Sequence, residues 1–258
     1  MKITILGTGT SCGVPVLGCQ CEVCRSSDPL DHRLRCSILV ETEQTRILVD
    51  AGPDLRQQLL PQPFRRIDGI LVTHSHYDHV GGMDDIRPYC QFGQIHVYAD
   101  AKACEGMEQM LPYCFAANRY PGVPQIGLHT IRAAQPLTIG DIDIMPVEVM
   151  HGQLPILGYR FGSFAYITDM KTINPAQQEL LQGVDTLVVN ALRFDKPHHS
   201  HQLVDDAISM ARQVGARRTL ITHVCHDIGL HRQVNSRLPQ GVELAYDGQE
   251  LYVNHQFS

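Results

Sequence analysis

The chain has 258 residues, a formal net charge of −6 and 43% hydrophobic residues, enough apolar material for a sizeable core. Its longest apolar stretches are only of strand length, which excludes a transmembrane helix, and no Lys/Arg run supplies the basic stripe of a large nucleic-acid surface. The nine cysteines are odd in number and Met1 leads straight into a strand and Gly7, with no apolar segment or cleavage site of a secretion signal, so a disulfide framework is disfavoured and a cytoplasmic location expected.

Strand-like runs alternate with turns in the first part: Ile3–Leu6, Ser37–Glu41, Arg46–Asp50 and Gly69–Thr73. A helix is predicted from near Asp54, where Asp-Leu-Arg-Gln-Gln-Leu-Leu places an N-cap residue before good helix formers. Ile95–Ala99 reads as a strand and Ala101–Leu111 as a helix stopped by Pro112. Strands follow at Gln125–Ile131, Asp141–Val149, Leu157–Phe161 and Phe164–Thr168. Asn174-Pro175 opens a helix to Leu181, with proline at its first position. The chain then reads as strand Thr186–Asn190, helix Gln202–Val214 ended by Gly215, and strand Thr219–Thr222. No repeat, low-complexity segment or linker divides it, so residues 1–258 are expected to form one domain. Pattern alone gives a mixed α and β class.

The most informative run is Thr73-His74-Ser75-His76-Tyr77-Asp78-His79, directly after the apolar Ile70-Leu71-Val72 and before Gly81-Gly82. Side chains along a strand alternate faces, so these groups converge only where the strand turns into a loop or helix. There His74 and His76 can meet at one ion while Asp78 and His79 reach a second. Imidazole nitrogen with a companion carboxylate is a donor set for zinc and similar metals. His151, Asp169 and His223 each stand just past another β-rich run.

With those ligands in that order the chain resembles the metallo-β-lactamase superfamily, whose signature is H-x-H-x-D-H after a core strand. The resemblance implies a four-layer αββα sandwich. It also implies that His74, His76 and His151 hold one metal, that Asp78, His79 and His223 hold another, and that Asp169 bridges them.

A second cluster lies in the loop at residues 18–25, where Cys19-Gln20-Cys21-Glu22-Val23-Cys24 places three thiols within reach of one ion. Closed thiolate-rich sites are structural zinc sites, and His226, three residues after His223, is the best fourth ligand. The Gly-Thr-Gly-Thr opening, this loop, the histidine motif and Thr222-His223-Val224-Cys225-His226 together resemble one branch, the phosphodiesterase of the carbon–phosphorus lyase pathway, which acts on a cyclic phosphate of phosphoribose. That resemblance implies a structural zinc on Cys19, Cys21, Cys24 and His226. Cys12, Cys36, Cys90, Cys104, Cys114 and Cys225 read as ordinary core or loop residues.

Asp50 ends a strand expected beside the one carrying the motif, where its carboxylate can fix the tautomer of a ligand histidine. His201 resembles the histidine that this branch uses near the scissile phosphate, stabilising charge or protonating the leaving oxygen. His198 and His199 read as its neighbours; His32, His96, His129, His231 and His255 have no assignable role. The resulting expectation is a phosphodiesterase for a small, anionic, cyclic phosphodiester. It would carry two divalent metals (manganese or zinc), a bridging hydroxide with Asp78 and His201 in the catalytic set, and one structural zinc. A homodimer is expected to be compatible with it. Alternatives on the same fold are a thioesterase or lactonase, a transfer-RNA 3′-processing nuclease, which this acidic chain suits poorly, and a non-catalytic metal-binding protein.

Overall fold

The computed structural model describes residues 1–254. In its first half, β1 (Lys2–Gly7), β2 (Ser37–Glu41), β3 (Arg46–Val49), β4 (Gly69–Leu71), β5 (Ile95–Ala99) and β6 (Ile126–Thr130) lie side by side in chain order. Pairing is antiparallel as far as β3 and parallel beyond it. The second half lays down β7 (Leu137–Ile139), β8 (Ile142–His151), β9 (Leu154–Phe161), β10 (Phe164–Ile167), β11 (Thr186–Asn190), β12 (Arg218–Thr222) and β13 (Val242–Leu244), also in sequential order. These are antiparallel up to β10 and parallel from there on. β14 (Glu250–Tyr252) then returns to pair with β1.

Two sheets packed this way must bury both faces of most strands, which is why the strands are near-continuous runs of Ile, Val and Leu. In the first sheet Ile3, Ile5, Ile38, Val40, Ile47, Val49 and Leu71 point between the sheets. Their neighbours Leu6, Leu39, Leu48, Ile70 and Val72 face the other way, onto α1 (Leu55–Leu59), α2 (Tyr77–Val80), α3 (Ala101–Met110) and α4 (Pro112–Phe115). The second sheet mirrors this. Tyr159, Phe161, Phe164, Tyr166, Val188 and Leu220 meet the first sheet, while Val147, Val149, Ala165, Ile167, Leu187 and Val189 lie beneath the second half's helices. Those are α5 (Pro175–Glu179), α6 (Val204–Val214) and α7 (His231–Asn235). The result is the expected αββα sandwich. The Tyr159 hydroxyl crosses the central layer to donate to the Val72 carbonyl at 2.6 Å, and Leu157 N–H donates to the Thr73 carbonyl at 3.0 Å. These bonds tie the sheets together where β4 gives way to the histidine motif.

Several local expectations change. Asp54 precedes α1 but makes no cap; its carboxylate instead accepts from Arg35, backbone N–H at 2.8 Å and guanidinium at 2.9 Å. The predicted strand ending at Val149 runs on to His151, because Gly152 (φ 63°) turns the hairpin into β9. β7, β13 and β14 were not anticipated, nor was the 3₁₀ stretch Met83–Phe92, which contains Pro88. Three-residue strands carry too few side chains to show a period. Among the described residues no helix is long and apolar enough to cross a membrane.

Candidate metal centre

Strand ends from both sheets open onto one edge of the sandwich. Asp50 follows β3, His74 lies just past β4, His151 closes β8, Asp169 lies just past β10 and His223 follows β12. Asp50, Asp169 and His223 have φ of 60°, 56° and 53°. Left-handed backbone at non-glycine residues costs on the order of 1–3 kcal/mol each and persists only where surroundings enforce it. Here they do. Asn190 clamps Met170 by both its amide groups (2.8 and 3.0 Å), fixing the turn after Asp169. Asp50 N–H donates to the Leu71 carbonyl and Ala51 N–H to the His79 carbonyl.

The short helix α2 delivers Asp78 and His79 beside Asp50. That approach needs two bare backbones: a Cβ on Gly52 would collide with the Asp78 carbonyl, and one on Gly82 with the Gly52 carbonyl. The glycines of the motif are therefore packing requirements, which the sequence presents only as turn formers.

The predicted residues converge in two groups. His74 Nε2 lies 2.9 Å from His76 Nδ1, with the His151 ring centroid 5.5 and 5.2 Å from theirs. In the other group His79 Nε2 is 3.3 Å from Asp78 Oδ2 and 3.1 Å from Asp169 Oδ2. His223 Nε2 is 3.0 Å from Asp169 Oδ1. Within each group the donor atoms all lie within 4.8 Å of one another. The Asp169 carboxylate thus lies against both His79 and His223.

Hydrogen bonding tests whether cations fit. His79 Nδ1 is 2.7 Å from Asp50 Oδ2, and His151 Nδ1 is 2.7 Å from the Asp169 carbonyl and 3.1 Å from that of Ser200. Carboxylates and carbonyls only accept, so both rings carry their proton on Nδ1 and turn an Nε2 lone pair inward. His79 Nε2 and both ring nitrogens of His223 are buried without a hydrogen-bond partner. Buried polar atoms rarely stay unsatisfied. Lone pairs aimed at one another and at carboxylates suit a shared divalent cation.

Charge is concentrated accordingly. Burial works against the charged forms of His79 and His223, but the carboxylates beside them (Asp50 and Asp169 for His79, Asp169 and Asp78 for His223) outweigh it and raise both well above the ordinary histidine range, so a cation would take the place of a proton at each Nε2. Asp78 and Asp169 are held below the usual carboxylate range by His223 and His79, again against burial. Burial lowers His74 and His76.

His201 lies beside this cluster, 6% exposed, its ring 4.8 Å from those of His151 and His223. Its Nδ1 is buried, has no partner and lies 3.7 Å from Asp169 Oδ1. Burial, assisted by His223, pushes it down to about 3. Lys171 Nζ donates to the His201 carbonyl and helps hold the loop. The His198 ring lies 4.9 Å further out, half-buried, and His199 is exposed.

The cysteine loop folds back onto the same exit of β12. His226 Nδ1 is 3.3 Å from Cys19 Sγ and 3.2 Å from Cys21 Sγ, and Cys24 completes a group within 4.8 Å. Backbone N–H from Cys24, then His226, draws the Cys21 thiol down to about 6, whereas burial lifts Cys24 to about 11.

Two contacts carry no signal in the sequence. Thr73 donates its hydroxyl to Asp50, 2.9 Å from Oδ2. His231, without an assignable partner from sequence, accepts from the buried Arg33 guanidinium at 3.0 Å, and its N–H donates to Asp31 at 2.7 Å. His96 and His129 pair on the surface at 2.9 Å, and His32 meets the Ser26 carbonyl at 2.9 Å. His255 lies outside the described residues.

A model of the β-lactamase superfamily domain matches residues 45–224, more than half of the chain and spanning the histidine motif through His223. The chain belongs to the metallo-β-lactamase superfamily. The superfamily signature therefore occupies His74–His79 at the end of β4. A solved diphosphatase of the PhnP family superposes with a TM-score of 0.90 at 39% identity, covering 97% of this chain and 96% of that one. Zinc-bound PqqB from Methylobacterium extorquens superposes with a TM-score of 0.80 at 19% identity, a likeness of fold. Among curated proteins, a Porphyromonas gingivalis octanoyltransferase is 40% identical over 99% of this chain, which spans only 52% of that relative's length. An exodeoxyribonuclease WalJ of Streptococcus pneumoniae is 28% identical over 60% of this chain and 57% of its own length. The fold is that of this superfamily, close to the PhnP family, and the clustered His and Asp side chains suit divalent cations.

Proposed function

We propose that the chain is a binuclear metal-dependent phosphodiesterase acting on a small, anionic phosphodiester, with a cyclic phosphate as the preferred class. The observation that carries this reading is the convergence of His74, His76 and His151 on one side and Asp78, His79 and His223 on the other, around the Asp169 carboxylate. The whole-chain likeness to a PhnP-family diphosphatase supports a phosphoryl substrate. Two divalent cations, manganese or zinc, would supply a water of lowered pKa and positive charge against a developing phosphoryl anion.

The chain's own residues do the rest. Asp169 sets the spacing between the two groups, and Asp50 holds His79 in its productive tautomer. Asp78 and His79 arrive together on α2, so one packing event places two donors of the second group. His201 faces the cluster as a neutral imidazole, positioned to offer a hydrogen bond to the oxygen that leaves phosphorus. Cys19, Cys21, Cys24 and His226 would hold a structural zinc that fastens the loop at residues 18–25 to the exit of β12. Nine free cysteines suit a reducing, cytoplasmic setting.

A second reading, hydrolysis of an acyl thioester or lactone, draws on the octanoyltransferase name of the Porphyromonas gingivalis relative. This chain matches only 52% of that protein, and the same cations would serve a carbonyl. A panel of bis(p-nitrophenyl) phosphate, cyclic nucleotides, a thioester and a lactone, assayed with manganese and with zinc, separates the two. The proposal requires the phosphodiesters to be the better substrates; preferential thioester or lactone turnover overturns it.

A further inference from the structure

We infer that Asp50 and Thr73 form one hydrogen-bond relay that sets the tautomers of His74 and His79 together, so that the two candidate cation subsites are coupled through a single buried node. The inference rests on the binuclear reading above and deepens it, because His74 belongs to one donor group and His79 to the other.

Each proton at this node can be assigned in turn. The Asp50 carboxylate accepts from Thr73 N–H at 2.8 Å and from the Thr73 hydroxyl, 2.9 Å from Oδ2 and 3.1 Å from Oδ1. A hydroxyl has one proton, and here the carboxylate takes it. Toward His74 Nδ1, 3.0 Å away, the Thr73 oxygen can then only accept. His74 must carry its proton on Nδ1, leaving the Nε2 lone pair directed at the cluster. His79 Nδ1, 2.7 Å from Asp50 Oδ2, is fixed in the same sense by the same carboxylate. Asp50, Thr73 and His79 are 0% exposed and His74 is 3% exposed, so bulk water does not compete for these bonds.

The other histidines do not share this node. His151 uses the carbonyls of Asp169 and Ser200, and His223 Nδ1 has no partner. Asp50 therefore reaches one subsite directly and the other through Thr73. Thr73 is a positioning residue, placed by the left-handed Asp50 turn against the end of β4.

Thr73→Val keeps the shape and deletes the hydroxyl, stranding the His74 Nδ1 proton. Partners of this kind are typically worth ~10–100-fold in metal affinity. Zinc competition against a chromophoric chelator should show that loss chiefly in the subsite containing His74, with Thr73→Ser restoring it and Asp50→Asn weakening both subsites. If the parent protein binds fewer than two cations at this centre, the binuclear reading itself fails. If the parent binds two and Thr73→Val holds both with parental affinity, or Thr73→Ser does not rescue, the relay is wrong. Imidazole ¹⁵N spectra of the zinc-loaded parent give a check independent of variant folding. They should show His74 and His79 protonated on Nδ1, and an Nε2–H form of either overturns the relay.

Discussion

His201→Ala should leave the cations bound and slow the chemistry. The imidazole is 6% exposed, stacks on His223 with His151 and His198 tilted against it, and its Nδ1 lies 3.7 Å from the nearest Asp169 oxygen. A neutral N–H placed to hydrogen-bond developing negative charge contributes typically ~10²–10³-fold, equivalent to ~3–4 kcal/mol of transition-state stabilisation. The full loss should appear with alkyl or sugar leaving groups, whose alkoxides are strong bases. It should shrink with p-nitrophenolate, which departs with little help. Burial holds His201 down to about 3, and nearby cations push in the same direction. The imidazole is then neutral throughout the range from about pH 5 to 9, and the ratio of parent to variant rates should stay flat across it. The assay is kcat on both leaving-group types across pH, with metal content measured on the same samples. Equal losses on both substrate types would point to positioning of the substrate in place of a hydrogen bond to the leaving oxygen. Loss of a metal equivalent would make His201 a ligand. Unchanged rates on both would refute the role and turn attention to His198 and His199.

Asp78→Ala removes a donor that approaches both His79 and His223, and hydrolysis should fall by more than roughly tenfold with the circular dichroism spectrum intact; activity closer to the parent would exclude Asp78 from the centre. Cys21→Ser should cost one zinc equivalent and lower Tm, since a closed thiolate site links metal binding to folding; full zinc content with unchanged Tm would sink the structural site. His231 is a pH prediction. Burial and then Arg33 lower it from 6.5 to about 4, so as pH falls between those values the unfolded chain takes up a proton the folded chain refuses, and stability is lost. Denaturant titrations should therefore show a shallower acid-side decline for His231→Gln than for the parent, and identical slopes would exclude His231 as the source.

The clustering of these side chains was legible because a candidate metal site constrains residue type and order. His74, His76, Asp78 and His79 crowd one strand end, and His151, Asp169 and His223 each end an apolar run long enough to read. The same runs gave the strands, since a strand buried on both faces is a block of Ile, Val and Leu. What failed were elements whose cause lies elsewhere in the chain. β7, β13 and β14 exist because a neighbouring strand offers hydrogen bonds, not because three residues prefer extension. Asp54 has the composition of a cap, yet Arg35, nineteen positions earlier in the chain, claims its carboxylate. Thr73 reads as one more β-branched residue ending a strand, and only the left-handed turn at Asp50 turns its hydroxyl into a bridge between two histidines. His231 was silent for the same reason, because its partner Arg33 is 198 residues away.

Stoichiometric reconstitution bears most directly on the binuclear phosphodiesterase. Protein stripped at the His/Asp centre by mild chelation, with the cysteine-loop zinc retained, would be titrated with manganese or zinc while cyclic phosphodiester hydrolysis is followed. Turnover should stay low through the first added equivalent, rise with the second and plateau there. Full activity at one equivalent, or no phosphodiester turnover at any loading, would contradict it.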